Sequence, residues 1–281
     1  MFGRSRHRVR KARERRGLGG SVYEGPLDLV PGAVAAYSVR ALGSAWLGQP
    51  LFTLQKMDGG AEPSEEFDAD AVTGEAPLAA IATFLGADDG ALKIWNDQSG
   101  NSLNMLSPDR TAIFGASVFG SKPGFESSIS TSFETNVETT AFPNGEATIF
   151  LVANLKAAVG GVLSGQGNVL MTTTDDPSID MASQDGRWAG GDIVAPASGT
   201  YLWDAAWKFG AKNFRVNGST QAFDSNFDDI GDVSAMLLEL EIHWVDQGVL
   251  TEWLIFNTLL SDADRLLIRQ NIAAYYGITL S

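Results

Sequence analysis

From residue 112 onward the chain is a succession of short apolar runs: 112–118, 128–133, 147–155, 159–163, 169–173, 199–208, 213–216, 236–245 and 248–257. Most are rich in β-branched or aromatic residues, and Gly, Asn or Asp lies between them. Runs recurring every 8–15 residues or so are the spacing of a two-sheet antiparallel sandwich, in which each strand crosses the domain once and reverses at a turn. No repeat of fixed period is present, so solenoid and propeller architectures are not expected. An apolar fraction of 44% supplies a real core, and 31 glycines supply the turns. The fold class expected is therefore all-β, in one domain.

The first hundred residues are more mixed. The stretch 33–42, following Pro31, suits a short helix. Residues 51–56 and 65–69 read as the two strands of a hairpin with a polar tip. Residues 77–85 form a second short helix that stops at Gly86, and 91–95 is a buried strand. At the other end, Ser261 stands before Asp262 and Asp264 as an N-cap, and Leu267, Ile268, Ile272 and Tyr275 follow at helical spacing until Gly277. Such a helix is expected to cover an edge or mouth of the sheets. Asn217-Gly218 predicts a type I′ hairpin turn.

Charge is segregated. Residues 1–16 carry eight cations (Arg4, Arg6, Arg8, Arg10, Lys11, Arg13, Arg15 and Arg16) against Glu14. With the whole chain at −14, an arm at +7 leaves the body at −21. A body so acidic is no general nucleic-acid binder, whereas the arm calls for an anionic or acidic partner. The organisation expected is a basic arm and Gly-rich hinge over 1–25, then one domain over 26–281. The arm shows no apolar stretch after its charges, and no apolar run approaches the roughly 20 residues needed to span a bilayer, so neither leader nor membrane span is expected.

Several chemistries are excluded by residue type. The sequence has no cysteine, hence no disulfide, thiolate metal site or cysteine nucleophile. Its two histidines, His7 and His243, argue against a multi-histidine zinc site or a hydrolase triad. The glycines at 17, 19 and 20 do not form a phosphate loop, since no strand precedes them. The acids Glu126, Glu134, Glu138, Asp180, Asp185, Glu239, Glu241 and Glu252 offer no pair that sequence can single out as a glycosidase dyad. Asp224, Asn226 and Asp228 have the spacing of a calcium loop, but Asp229 and Ala235 stand where such a loop wants Gly and Glu. Asp175, Asp176 and Asp180 form a second acidic loop. Trp188, beside Arg187 in a polar Gly-rich loop, reads as a contact tip for a glycan or a protein neighbour.

Three segments carry a resemblance. The residues Ala35-Ala36-Tyr37-Ser38-Val39-Arg40-Ala41-Leu42, the element Trp95-Asn96-Asp97-Gln98-Ser99-Gly100-Asn101, and the closing stretch from Leu260 to Ile278 resemble the concanavalin A-like (laminin G-like) jelly rolls of bacteriophage and prophage structural proteins. A related version is the catalytic domain of arabinofuranosidase B. Asn101 falls one place early in the pattern. The likeness spans about residues 26–280 and implies a jelly-roll sandwich there, to which the extended N-terminal arm read from the charges is joined. Independently of family, Asp97, Ser99 and Asn101 can bond backbone donors in a tight turn; Trp95 and Asp97 are alternatively candidates for contacting a sugar.

The resemblance implies a virion component, in a tail, fibre, spike or capsid decoration, anchored to other virion proteins by its arm and presenting a lectin-like body to host-surface glycans. Packaged nucleic acid is the lesser partner for the arm. A homo-oligomer is expected, with a trimer as default. No organic cofactor is implied, and a structural calcium is the one ion such folds often hold at a sheet rim. The second function implied is a glycoside hydrolase of the arabinofuranosidase type, although its catalytic acids do not map onto positions of this chain.

Overall fold

The computed structural model describes residues 23–57, 62–107, 110–127, 134–135, 146–155, 160–165, 168–173, 178–182, 188–194, 199–208, 211–220 and 248–281. Along the chain run α1 (Pro26–Leu29), β1 (Ala35–Ser38), β2 (Pro50–Lys56), β3 (Ser64–Asp68), α2 (Leu78–Leu85), β4 (Gly90–Trp95), β5 (Met105–Leu106), β6 (Ala112–Phe119) and β7 (Lys122–Ser127). Then follow β8 (Glu134–Thr135), β9 (Ala147–Leu155), β10 (Gly160–Gly165), β11 (Asn168–Thr173), β12 (Ser178–Ala182) and β13 (Trp188–Val194). The chain closes with β14 (Gly199–Lys208), β15 (Ala211–Val216), β16 (Ser219–Thr220), β17 (Gly248–Phe256) and α3 (Asp262–Tyr276).

The class is all-β, as expected. Strands pair antiparallel in the order β16-β15-β14-β9-β17-β7-β6-β4-β2-β3, with β1 beside β17, and β5 and β8 leading off β4. β10–β13 form a separate four-stranded meander. The long sheet encloses one core between its wings: Tyr37 on β1 packs on Trp95 of β4 (5.8 Å between ring centroids) and on Trp253 of β17 (6.4 Å), and Trp95 meets Phe125 of β7 edge-on (5.1 Å).

Both faces of the central strands are covered, which explains their unbroken apolar sequences. In β9, Ile149, Leu151 and Ala153 face this first core, while Phe150 and Val152 face a second one that includes Ile268, Ile272 and Tyr276 of α3. The helix therefore lies on the face of the β14–β9–β17 wing, not across an edge or mouth. Its ends follow the sequence signals: the Ser261 hydroxyl accepts from the Asp264 amide (3.2 Å), and Gly277 takes the left-handed conformation at φ 70°.

The helix expected over residues 33–42 is overturned as well. The stretch carries β1, buried at all four positions and paired with Glu252–Ile255 of β17. The alanines favoured a helix locally, but a fully enclosed site beside the central strand favours extended backbone with small side chains. Residues 128–133 and 236–245, read as strands, lie outside the described residues. The turn at Asn217 (φ 49°) and Gly218 (φ 90°) has the positive dihedrals of the expected hairpin type.

Candidate functional site

The Trp95–Asn101 element folds back beneath β1 and fastens it. Asp97 Oδ1 accepts from the amides of Ala36 (2.9 Å) and Ser99 (2.9 Å), and Oδ2 accepts from the Ser99 hydroxyl (2.7 Å) and the Leu103 amide (3.0 Å). Gln98 works in the same direction: its Oε1 accepts from Leu42 N–H (2.8 Å) and its Nε2 donates to Arg40 O (2.9 Å). The Asn101 amide donates to Val34 O (2.9 Å). Trp95 is wholly buried, and its indole N–H donates to Ser38 O (3.0 Å). With Tyr37 and Phe125 against its ring, Trp95 offers no surface on which a sugar could stack. Asp97, at 2% exposure and with both oxygens occupied, likewise cannot reach one. The two residues are joints of the fold rather than glycan contacts.

The other sequence candidates are placed as follows. The backbone of Trp188 opens β13 opposite Ala182, so part of the expected loop is strand. Arg187 lies outside the described residues, as do Asp224, Asn226 and Asp228 and all eight cations of the arm, Arg4, Arg6, Arg8, Arg10, Lys11, Arg13, Arg15 and Arg16. Among the described residues no three His, Cys, Asp or Glu side chains gather as a metal site.

Two charged clusters under α3 were not singled out from sequence. In the first, Glu252 of β17 is fully buried and receives a two-pronged bond from Arg40: Nε to Oε2 (2.8 Å) and Nη2 to Oε1 (3.1 Å). Ser38 Oγ (3.0 Å) and Tyr276 OH (3.1 Å) also donate to Oε2, and Arg40 Nη2 reaches Asn271 Oδ1 (3.1 Å). The guanidinium lies 4.2 Å from the centroid of Tyr275. Tyr275 OH donates in turn to Glu75 (2.6 Å), which also pairs with Lys122 (2.9 Å) nearer the surface. In the second cluster, three arginines converge on the buried Asp204: Arg265 at 2.7 Å, Arg269 at 3.4 Å and Arg215 at 3.9 Å. Arg215 also donates to Asp262 at the start of α3 (3.0 Å).

Chemically these clusters bind the helix to the sheet. A glycosidase carboxylate must face a sugar and exchange a proton with it or attack it. Glu252, Asp204 and Asp97 are sealed from solvent and held by fixed donors, so none of the three can do so. The signal that could have found the clusters was available: Arg40 interrupts Ser-Val-Arg-Ala-Leu, Glu252 interrupts Leu-Thr-Glu-Trp-Leu, and Asp204 interrupts Leu-Trp-Asp-Ala-Ala. A lone charge in a buried strand implies a partner.

The root of the arm joins the first cluster. Tyr23 OH donates to Ala41 O, and the Asn271 amide donates to Glu24 O (2.8 Å). Gly25 backs onto Leu42 so closely that a Cβ there would stand 2.3 Å from the Leu42 carbonyl oxygen. Residues 23–25 thus belong to the body.

Burial raises the pKa of all five tyrosines: Tyr37, Tyr275 and Tyr276 well above the usual range, Tyr201 upward, and Tyr23 up to about 12. Because the neutral phenols are favoured in the folded state, their contribution is complete below about pH 10 and declines as pH rises beyond it. Ultraviolet titration of the native protein is therefore expected to show little phenolate at the ordinary midpoint, with ionisation arriving together with loss of near-ultraviolet circular dichroism. A normal midpoint with the fold intact would contradict the burial of these rings.

No protein-family model matches the sequence, and no curated protein matches it. Solved structures do match in fold. Two are GH54 α-L-arabinofuranosidases, one soaked with a cyclic sulfate inhibitor (TM-score 0.64, 16% identity) and a point mutant soaked with 4-nitrophenyl α-L-arabinofuranoside (0.63, 15%), and a third is an arabinofuranosidase complexed with arabinofuranosyl-α-1,2-xylobiose (0.62, 16%). Each match covers 92% of this chain and 66% of the other, so the chain spans just under two-thirds of their length. At this identity the likeness is one of fold.

Proposed function

We propose that the chain is a bacteriophage virion component, a jelly-roll body held in the particle by its basic arm and displaying a glycan-recognising surface. The observation that carries this reading is the separation of charge. An arm at +7 on a body at −21 suits assembly, because arms can enter acidic grooves on neighbours while like-charged bodies stay apart. The fold supports the second half, since the neighbours by structure include proteins soaked or complexed with arabinofuranosides. The glycan contact then falls to Arg187 and Trp188, as Trp95 and Asp97 are enclosed. Other virion proteins are the arm's partners, the location is the virion, and copy number follows the particle's symmetry.

Deleting residues 1–16 is expected to leave near-ultraviolet circular dichroism unchanged and to abolish incorporation into particles; a truncated chain that still incorporates sinks the anchor. Trp188→Ala is expected to remove binding on a glycan array without changing the melting temperature.

The second reading, an arabinofuranoside hydrolase, is favoured by the fold match extending over 92% of the chain. Release of nitrophenol from 4-nitrophenyl α-L-arabinofuranoside, abolished by a single carboxylate substitution, would establish it in place of the first. A blank assay across arabinofuranosyl substrates leaves the binding role.

A further inference from the structure

The described sheet ends at β3, which pairs with β2 on one side and with no described strand on the other. Its hydrogen-bond parity can be read from its flanks. Lys56 N–H donates to Pro63 O (2.9 Å), Ala69 N–H donates to Gln49 O (2.8 Å), and Gly48 N–H donates to Ala69 O (3.1 Å). Odd positions therefore turn their backbone groups toward β2, and Ser64, Glu66 and Asp68 turn theirs outward. Phe67 is buried in the core, so the side chains of the same three residues stand on the opposite, exposed face. The outward backbone groups and the carboxylates of Glu66 and Asp68 thus share one edge, and Glu65 adds an exposed charge on the other face of the strand.

Short, charged edges resist pairing with copies of themselves, yet they remain open to a strand of opposite charge. The sequence of the arm has a pattern suited to one. Arg4, Arg6, Arg8 and Arg10 alternate with Ser5, His7 and Val9, a period of two that places four guanidiniums on one face of an extended segment. Along either strand same-face side chains recur every 7 Å or so, so successive arginines can stand opposite Glu66 and Asp68.

The arm's root lies close by. The ring of Tyr23 packs where a Cβ on Gly74 would come within 2.6 Å of it, and Gly74 follows the end of β3 by six residues. The twelve residues between Arg10 and Tyr23 span up to about 40 Å when extended, more than twice the length of β3. A tether of this length holds the two segments at an effective concentration on the order of millimolar.

We propose that residues 4–10 of the arm dock on the β3 edge of their own chain as an added strand, paired through the outward backbone groups of Ser64, Glu66 and Asp68 and the two acidic side chains. The inference goes beyond the anchor reading and does not depend on it. Docked, the arm's cations are partly neutralised on their own body until a stronger acidic partner draws them away.

The test is amide hydrogen exchange on the full chain. Exchange at Ser64, Glu66 and Asp68 is expected to be at least about tenfold slower than in full-length chains carrying either Glu66→Lys/Asp68→Lys or Arg4→Glu/Arg6→Glu/Arg8→Glu/Arg10→Glu, and to be slow again when both sets are combined. In salt of about 1 M, where screening acts over about 3 Å, the protection is expected to weaken. Equal exchange in all four chains overturns the proposal. So does protection that appears in an isotope-labelled arm-reversed chain only as unlabelled wild type is added, because the occupant is then a second copy. Either failure leaves the incorporation result of the arm deletion untouched.

Discussion

Replacing Glu252 by alanine is expected to lower the unfolding free energy by about 3–5 kcal/mol, because it leaves the Arg40 guanidinium buried without its carboxylate. Arg40 is 3% exposed and directs its Nε–Nη2 edge at Glu252, so no solvent can take over the lost bonds without opening the helix from the sheet. Ser38 and Tyr276 lose an acceptor in the same step. In a domain of this size the melting temperature should fall by roughly 6–20 °C.

The sign of the effect reverses when both partners go. Arg40→Met/Glu252→Leu removes the charges together, and replacing a buried pair by apolar groups is often neutral or stabilising by about 1–4 kcal/mol. Urea denaturation of the two single variants and the double variant measures the coupling. A single variant that costs less than about 1 kcal/mol would mean that water reaches the pair.

Asp97→Ala is expected to be nearly as damaging, through hydrogen bonds rather than charge pairing. Its carboxylate accepts four bonds, of which those from the amides of Ala36 and Leu103 are buried and span 61 and 6 residues of sequence. Each buried donor left without a partner costs about 1–3 kcal/mol, so a loss of about 2–6 kcal/mol follows. Asp97→Asn keeps one acceptor oxygen and should lie between. Stability alone would not separate this from ordinary core damage. Hydrogen exchange does: the Ala36 and Leu103 amides should lose protection ahead of the β9–β17 ladder, because Asp97 fastens β1 from the side. Uniform loss of protection would instead place Asp97 in the global fold only.

Much of this arrangement could be read from local patterns. The ranges 147–155, 199–208 and 248–257 agree with β9, β14 and β17 to within a residue, because long apolar runs rich in β-branched and aromatic residues have few alternatives. Helix α3 was bounded by Ser261 and Gly277, whose capping roles depend on neighbours one turn away. The misread stretch 33–42 shows the limit. Its alanines speak for a helix, and the strand is imposed by β17, Asp97 and Gln98, which lie about 60 to 220 residues away in sequence. The same limit applied to Trp95: an aromatic beside a polar turn suits a sugar or a core equally, and only the rings of Tyr37 and Phe125 decide between them.

By itself the sequence determined the all-β class, most strand positions, the ends of the last helix, the Asn217-Gly218 turn and the division into a basic arm and an acidic body. Each depends on interactions within a few residues or on charge, which needs no coordinates. Only the tertiary structure decided which charges are enclosed. Arg40 and Glu252 are 212 residues apart, Asp204 and Arg265 are 61, and Glu66 and Asp68 are exposed on a strand edge that no described strand covers. Whether a carboxylate is a joint, a surface charge or a docking site depends on its desolvation and its neighbours, and those are set by how the strands come together.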